Sequence, residues 1–280
     1  MFTLQCGRFE LELGKRTCII GILNLTPDSF YDGGKFISPA DAIRHAEKMA
    51  EDGADIIDIG AESSRPGSDP VSSDEEIERL KAILPILCRR VGISISVDTY
   101  KSSVARWALD NGAAMINDIS GFRLDPDMAK AVSIYEAPVV LMHTYGRPKT
   151  MQDNPQYKSL LDDIIAYLKD SIKIGLDAGI GMDRFIVDPG IGFGKTLPHN
   201  LEILSGLSRL KEIGRPILIG PSRKSFIGKI LNLPAEERLE GTAAAVAIAI
   251  LNGANIVRVH DVKEMARVAK IADAVKTQNH

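Results

Sequence analysis

Along the chain, short runs of β-branched residues alternate with longer stretches whose apolar positions recur every three or four residues. The short runs are "CIIGIL" (18–23), "DIIDIG" (55–60), "ISISVD" (93–98), "AMIND" (114–118), "PVVLM" (138–142), "RFIVD" (184–188), "PILIG" (216–220) and "NIVRV" (255–259). Each reads as a buried strand. Between them, positions such as Leu161, Ile164, Ile165, Leu168 and Ile172 draw an apolar stripe down one side of a helix. Ser38-Pro39 places a cap residue before a first-turn proline, and Ser73 with Glu76 has capping-box spacing. "TAAAVAIAIL" (242–251) reads as a buried helix, because a membrane span needs about 20 such residues.

Eight strand–helix units with no Pro/Gly-rich linker predict an α/β fold, a single (β/α)₈ barrel over residues 1–280. Residues 1–17, with "FTLQCGRFELEL", form an N-terminal hairpin segment ahead of the first barrel strand. An open doubly wound sheet is the competing architecture; the regular spacing of eight units favours closure. With 45% hydrophobic and 25% charged residues, the chain has ample material for a core. A net charge of −3 argues against nucleic-acid or membrane surfaces as partners. The three cysteines, Cys6, Cys18 and Cys88, show no paired spacing, which fits a reducing compartment and neither a disulfide framework nor a zinc site. The amino terminus lacks the basic-then-apolar pattern of a secretory signal, so the cytoplasm is the expected location.

The predicted strands end on polar residues: Asn24, Asp58, Asp98, Asn117-Asp118, Met142-His143, Asp188, the Ser222-Arg223-Lys224 loop, and Arg258 with His260. Any one of these has a bland account, since a strand-end Asp or Asn often caps the next helix. A whole rim of them is better explained by the location of barrel active sites, at the carboxyl ends of the strands. Period-two alternation places Ser94, Ser96 and Asp98 on one face, Arg258 with His260 on another, and Asp188 with Ile186 on a third. Such side chains point into the barrel mouth, where a polar ligand would satisfy them.

After Asp188 comes "PGIGFGKT" (189–196). Gly190 and Gly194 are separated by three residues where a phosphate loop needs four, and the spacing does not suit a dinucleotide fingerprint either. The glycines are better read as letting backbone and Phe193 approach a ligand closely. A buried carboxylate at 188 would accept paired hydrogen bonds from a planar amidine-like edge, and Asn117 offers both donors and acceptors to complete it. Lys224 in "PSRKSF" would donate to a ring atom, unless it is simply an exposed lysine at a helix start. "ESSRPGS" (62–68) supplies hydroxyls and Arg65, and with Arg258 and His260 it suits a di- or polyphosphate. Asn24 is neutral. It would lend one oxygen to a magnesium ion otherwise held by substrate phosphates and water, or it is an ordinary turn residue.

Together, "GILNLTPDSFYDGG", "GAESSRPGS", "SVDTYKSSVA", "INDISG", "DPGIGFGKT", "GPSRKSF" and "VRVHDV" resemble the dihydropteroate synthase family of folate biosynthesis, in that family's order and from Gly21 to Val262. The resemblance implies a (β/α)₈ barrel that joins 6-hydroxymethyl-7,8-dihydropterin diphosphate to p-aminobenzoate, giving 7,8-dihydropteroate and pyrophosphate with Mg²⁺ as cofactor. It also implies a homodimer, and sulfonamides as inhibitors. Carried over residue by residue, Asp98, Asn117, Asp188 and Lys224 hold the pterin and Met142 lines its slot. Asn24 ligates magnesium, while Ser64, Arg65, Arg258 and His260 surround the diphosphate. Ser64, Pro66, Phe193, Lys224 and Ser225 border the p-aminobenzoate pocket, and the Thr26–Gly34 loop closes the mouth with Phe30 and Asp32 near the amine. Asp32→Ala is expected to lower turnover much more than pterin affinity.

The sequence departs from the family pattern at Ala61, usually glycine, at Ser64, more often threonine, and at Tyr31, usually small. Two rivals share part of the pattern. A methyltetrahydrofolate:corrinoid methyltransferase would use Asp98, Asn117 and Asp188 but not "TPDSF", "SSRPG" or "SRKSF". A non-catalytic pterin binder would not need Asn24, Arg258 and His260.

Overall fold

The computed structural model describes residues 1–26, 38–65 and 67–278. Elements are numbered in chain order. A hairpin of β1 (Phe2–Cys6) and β2 (Phe9–Leu13) precedes eight parallel strands: β3 (Cys18–Asn24), β4 (Ile56–Gly60), β5 (Ser94–Asp98), β6 (Met115–Asp118), β7 (Val139–Met142), β8 (Phe185–Asp188), β9 (Leu218–Ile219) and β10 (Ile256–Val259). The helices are α1 (Pro39–Glu51), α2 (Ser73–Lys81), α3 (Leu84–Arg90), α4 (Ser102–Asp110), α5 (Met128–Ile134), α6 (Leu160–Asp177), α7 (Leu197–Gly206), α8 (Ser225–Leu231), α9 (Leu239–Leu251) and α10 (Val262–Thr277). The parallel sheet runs β8-β7-β6-β5-β4-β3-β10-β9. A parallel bridge from Val187 to Ile217, with Val187 N–H donating to the Pro216 carbonyl at 3.0 Å, joins its two ends. The sheet is therefore a barrel. Among the described residues, no helix is long and apolar enough to cross a membrane.

Alternation along the strands sorts the core into two shells. Ile19, Ile57, Ile95, Ile116, Val139, Phe185, Ile219 and Val257 face outward and pack under the helices. Cys18, Ile20, Ile56, Met115, Val140, Ile186, Leu218 and Ile256 face inward at the amino end of the barrel. Leu4, Cys6 and Leu13 of the hairpin join that inner cluster and close this end. Two residues further along four of these rows the side chains turn polar, at Asp58, Asn117, Asp188 and Arg258, and β5 presents Ser94 and Ser96. The seal is apolar and the mouth is charged.

The helix signals held with two exceptions. Ser38 caps α1 in a capping box with Asp41, and Leu161, Ile164, Ile165, Leu168 and Ile172 are all buried on α6. At α2 the cap is Ser72, whose side chain accepts from the Glu75 N–H at 3.2 Å, and not Ser73. Glu76 does not reach back to a cap, because Lys101 holds its carboxylate at 2.7 Å inside the protein. On α9, Ala245, Val246, Ala249 and Ile250 are buried as expected, but Ile248 and Leu251 are exposed.

Candidate active site

The mouth of the barrel contains a cavity lined by Asp98, Asn117, Ile119, Met142, Asp188, Gly190, Ile191, Phe193, Gly220, Lys224 and Arg258. Its floor is an ionic lattice. Arg258 donates from Nε to Asp58 Oδ2 at 2.6 Å and from Nη2 to Asp98 Oδ2 at 2.8 Å. Asn117 Nδ2 donates to the same Asp58 oxygen at 3.0 Å, which fixes the amide so that its own oxygen is available as an acceptor. Burial works against the charge on Arg258, but the two carboxylates outweigh it and raise its pKa. Asp98 is pushed up to about 7 by burial, against the pull of Arg258.

Asp188 ends β8, with its carboxylate aimed into the cavity and Oδ1 accepting the Gly190 N–H at 2.7 Å. Burial pushes it up to about 6. The turn that brings Gly190 back onto Asp188 needs glycine twice over. Its φ is +69°, and a Cβ there would lie 1.9 Å from the His143 carbonyl oxygen. Lys224 enters from the start of α8, with Nζ 4.1 Å from the Phe193 ring centroid. Burial, with Arg258 nearby, lowers its pKa to about 8. Ile119, Met142, Met151 and Phe193 form one apolar wall, against which Tyr100 packs. The lining carries the groups that a flat, hydrogen-bonding heterocycle would use: an apolar wall, with a carboxylate, an amide and an ammonium around it.

At the rim, Asn24 is half-buried and sits beside Gly60, where a Cβ would come 3.5 Å from its Oδ1. His260 Nδ1 lies 3.0 Å from Ser222 Oγ, and its own backbone N–H donates to that oxygen at 3.2 Å. The Ser222 hydroxyl hydrogen is thus free to point at Nδ1, which leaves Nε2–H as an outward donor. Burial and the neighbouring Arg258 and Arg223 lower the His260 pKa to about 3. Burial therefore favours a neutral imidazole that donates a hydrogen bond over a cation. Ser64 is half-buried, while Arg65 and Ser225 are exposed. Asp32 and Pro66, and the Thr26–Gly34 loop beyond Thr26, lie outside the described residues.

Asp98, Asn117, Met142, Asp188, Phe193, Lys224 and Arg258 therefore share one cavity. Sequence reasoning gave no role to Asp58, the fully buried counter-ion of Arg258. Its signal was available, since Asp58 lies two residues before Gly60 on the inward row of "DIIDIG". A buried Lys195 also went unassigned. Its Nζ donates to the Phe193 carbonyl at 2.8 Å and lies 3.0 Å from His143 Nδ1, bracing the loop that carries the cavity wall. A more open aromatic hollow, lined by His143, Tyr145, Tyr157 and Tyr167, lies nearby. It lacks the convergent charges of the mouth cavity.

Among the described residues, no cluster of three His, Cys, Asp or Glu side chains is arranged to hold a metal ion. The donor set at the rim is Asn24, a single neutral amide. That suits a magnesium ion which keeps water and takes substrate phosphate oxygens, not one caged by protein.

The model of the pterin binding enzyme family matches residues 20–260. A dihydropteroate synthase of Clostridium beijerinckii is 50% identical over 273 residues, covering 97% of this chain and 99% of that one. The structure of a Yersinia pestis dihydropteroate synthase with a sulfonamide drug complex superposes with a TM-score of 0.94 at 41% identity, over 99% of this chain and 100% of that one. A Clostridium difficile dihydropteroate synthase, crystallised in the presence of pteroic acid, superposes at 0.89 with 45% identity, over 95% and 98%. With this cavity at the carboxyl end of an eight-stranded barrel, and relatives that match along its whole length, the chain belongs to the dihydropteroate synthase family of pterin-binding enzymes.

Proposed function

We infer that this chain carries out the family's reaction, the condensation of 6-hydroxymethyl-7,8-dihydropterin diphosphate with p-aminobenzoate, and that the residues at the mouth divide the work as follows. Asp188 accepts paired hydrogen bonds from the amidine-like edge of the pterin, and Asn117 and Asp98 meet the rest of that edge. Lys224 donates to the opposite side of the ring, and Met142 and Phe193 flank its faces. The observation that carries this reading is the convergence of Asp188, Asn117, Lys224 and Arg258 on one slot.

The bond that breaks joins the pterin methylene to the leaving diphosphate. As it lengthens, positive charge spreads into the ring nitrogens and negative charge gathers on the departing oxygen. Arg258, the Nε2–H of His260, and Ser64 with Arg65 stabilise that second charge, most strongly where the group is largely enclosed by protein, as Arg258 and His260 are. Asn24 would hold magnesium against the diphosphate, and bound magnesium would supply further neutralisation of the leaving group. The arylamine attacks the methylene as its free base, and the proton that its nitrogen then sheds passes to water or to the departing pyrophosphate, so no strong general base is required. The carboxylate of Asp188, charged above about pH 6, would favour the same charge separation.

Two further features belong to this reading. Exposed apolar side chains gather on three mutually contacting helices, Leu201 on α7, Ile230 and Leu231 on α8, and Ile248 and Leu251 on α9, which supports burial against a second copy. The cysteines are free thiols, in keeping with a cytoplasmic enzyme. Supplying the pterin diphosphate, p-aminobenzoate and magnesium, and following pyrophosphate, tests the assignment. Pyrophosphate is expected in step with dihydropteroate and in need of the amine; release without amine, or none at all, rejects it. Sedimentation should give a dimer that Leu251→Glu dissociates.

A further inference from the structure

Two motifs contain charged residues for which the reaction has no use: Glu62 in "GAESSRPGS" and Lys101 in "SVDTYKSSVA". They meet. Lys101 Nζ forms an ion pair with Glu62, donates to Glu76 Oε2 at 2.7 Å, and donates to the Val71 carbonyl at 2.8 Å. The other Glu62 oxygen accepts from the Tyr100 hydroxyl at 2.6 Å. One ammonium thus ties the beginning of the segment after β4 to its end and to helix α2. Arg79 of α2 adds a second tie, donating to the Ala61 carbonyl at 2.6 Å.

Ser64 and Arg65 lie on the segment closed in this way. Within it, Ser68 Oγ donates to the Ser63 carbonyl at 2.6 Å or the Arg65 carbonyl at 2.8 Å. Among the described residues, the exposed positions of the segment are tied outward only at the surface, by Lys149 to Asp69 at 2.7 Å and by the Gly67 N–H to the Pro148 carbonyl at 3.1 Å, whereas its root is nearly dry. Side-chain exposure is 14% for Lys101, 8% for Glu62 and 1% for Glu76. An ion pair so placed resists opening, because parting it strands a carboxylate in the interior. Burial pushes the Glu76 carboxyl above its ordinary value and Lys101 pulls it back, so Glu76 depends on Lys101 for its charge. Tyr100 carries the tie inward, since its ring packs on the cavity wall of Ile119, Met142, Met151 and Phe193.

We propose that Lys101, Glu62 and Tyr100 are positioning residues that clasp the root of the 62–71 segment to the cavity wall and so set where Ser64 and Arg65 stand over the amine side of the site. The clasp governs affinity for the arylamine and makes no hydrogen bond to the polar residues of the pterin slot, Asp98, Asn117, Asp188 and Lys224. Its effect on catalysis rests on the functional reading above; its effect on the segment does not.

The test uses Lys101→Met, Lys101→Arg and Tyr100→Phe in the full chain. Lys101→Met should raise the KM for p-aminobenzoate by about tenfold or more, and Tyr100→Phe by a few-fold, the loss expected for hydrogen bonds to charged groups. The kcat and the calorimetric Kd for the pterin diphosphate should stay within about twofold, and Lys101→Arg should recover most of the loss. A pterin Kd that weakens as much as the amine KM would mean general damage and would overturn the clasp, as would an unmoved amine KM. Hydrogen exchange gives a readout that needs no turnover. The Gly67 and Ser68 amides, which donate to the Pro148 and Arg65 carbonyls at 3.1 Å each, should lose protection in Lys101→Met and keep it in Lys101→Arg. Unchanged exchange rejects the clasp even if the wild-type chain makes no dihydropteroate. Altered exchange in a chain without that activity rejects only the functional reading.

Discussion

Asp188→Asn should make the ligand-free protein more stable while ruining its grip on the pterin. The carboxylate of Asp188 is buried and pushed up from an ordinary 3.8 to about 6, with desolvation as the leading cause. A rise of that size corresponds to about 3 kcal/mol at alkaline pH. The sign follows from proton counting. Between pH 3.8 and about 6 the folded chain binds more protons at this site than the unfolded chain, so stability falls as pH rises through that window. Asparagine has nearly the same shape, keeps an oxygen for the Gly190 N–H, and carries no charge to desolvate. Over 280 residues the unfolding entropy is about 0.6 kcal/mol per kelvin, so the melting temperature should rise by about 5 °C at pH 8. The gain should shrink to about a third of that at pH 4.5, where most Asp188 is already protonated in the folded protein. Calorimetric binding should show the opposite, a loss of at least about 100-fold in pterin affinity as the paired charge-assisted hydrogen bonds disappear. A variant that melts lower than wild type at pH 8, or a stability difference that ignores pH, would refute the claim that binding, not folding, keeps a charge at this position.

Other expectations follow from single contacts. Arg258→Met strands Asp58 and Asp98 and should cost about 3–5 kcal/mol in denaturant unfolding; an unaltered midpoint would mean that the lattice does not persist in solution. Gly190→Ala meets both a carbonyl 1.9 Å away and a φ of +69°, whereas Gly67→Ala has a φ of +82° and nothing within 4 Å. The first should fail to fold or lose over about 3 kcal/mol, and the second only about 1 kcal/mol of backbone strain, read from the same unfolding curves. Ser64→Thr adds one methyl group at the proposed amine pocket and should lower the KM for p-aminobenzoate about threefold, by the usual increment for a buried carbon. A KM that rises instead would place residue 64 away from the ring.

Much of this architecture was readable from period-two alternation, which cannot place Asp188 inward without also placing Ile186 inward. The eight runs became eight strands with ends shifted by one or two residues, as at "PILIG", which contributes only Leu218–Ile219. What alternation cannot supply is the partner. Asp58 and Arg258 are 200 residues apart and meet because closure brings β10 beside β3 and so near β4. Glu76 sits in "SDEEIERLK", a string that reads as a solvated helix, yet it is buried on Lys101. The protonation of His260 is likewise not a matter of residue type, since it depends on how deeply the ring is buried and how near Arg258 and Arg223 lie. Distances in space, not residue types, decided all three.

The hairpin sealed by Leu4, Cys6 and Leu13 makes the barrel a vessel open at one end. Whatever enters deepest must leave last. In the proposed assignment a pterin held by Asp188 and Asn117 would lie deeper than the diphosphate and the amine, so pyrophosphate would have to clear the rim before dihydropteroate could withdraw. Entry would follow the same queue in reverse, because among the described residues the hairpin fills the opposite end of the barrel.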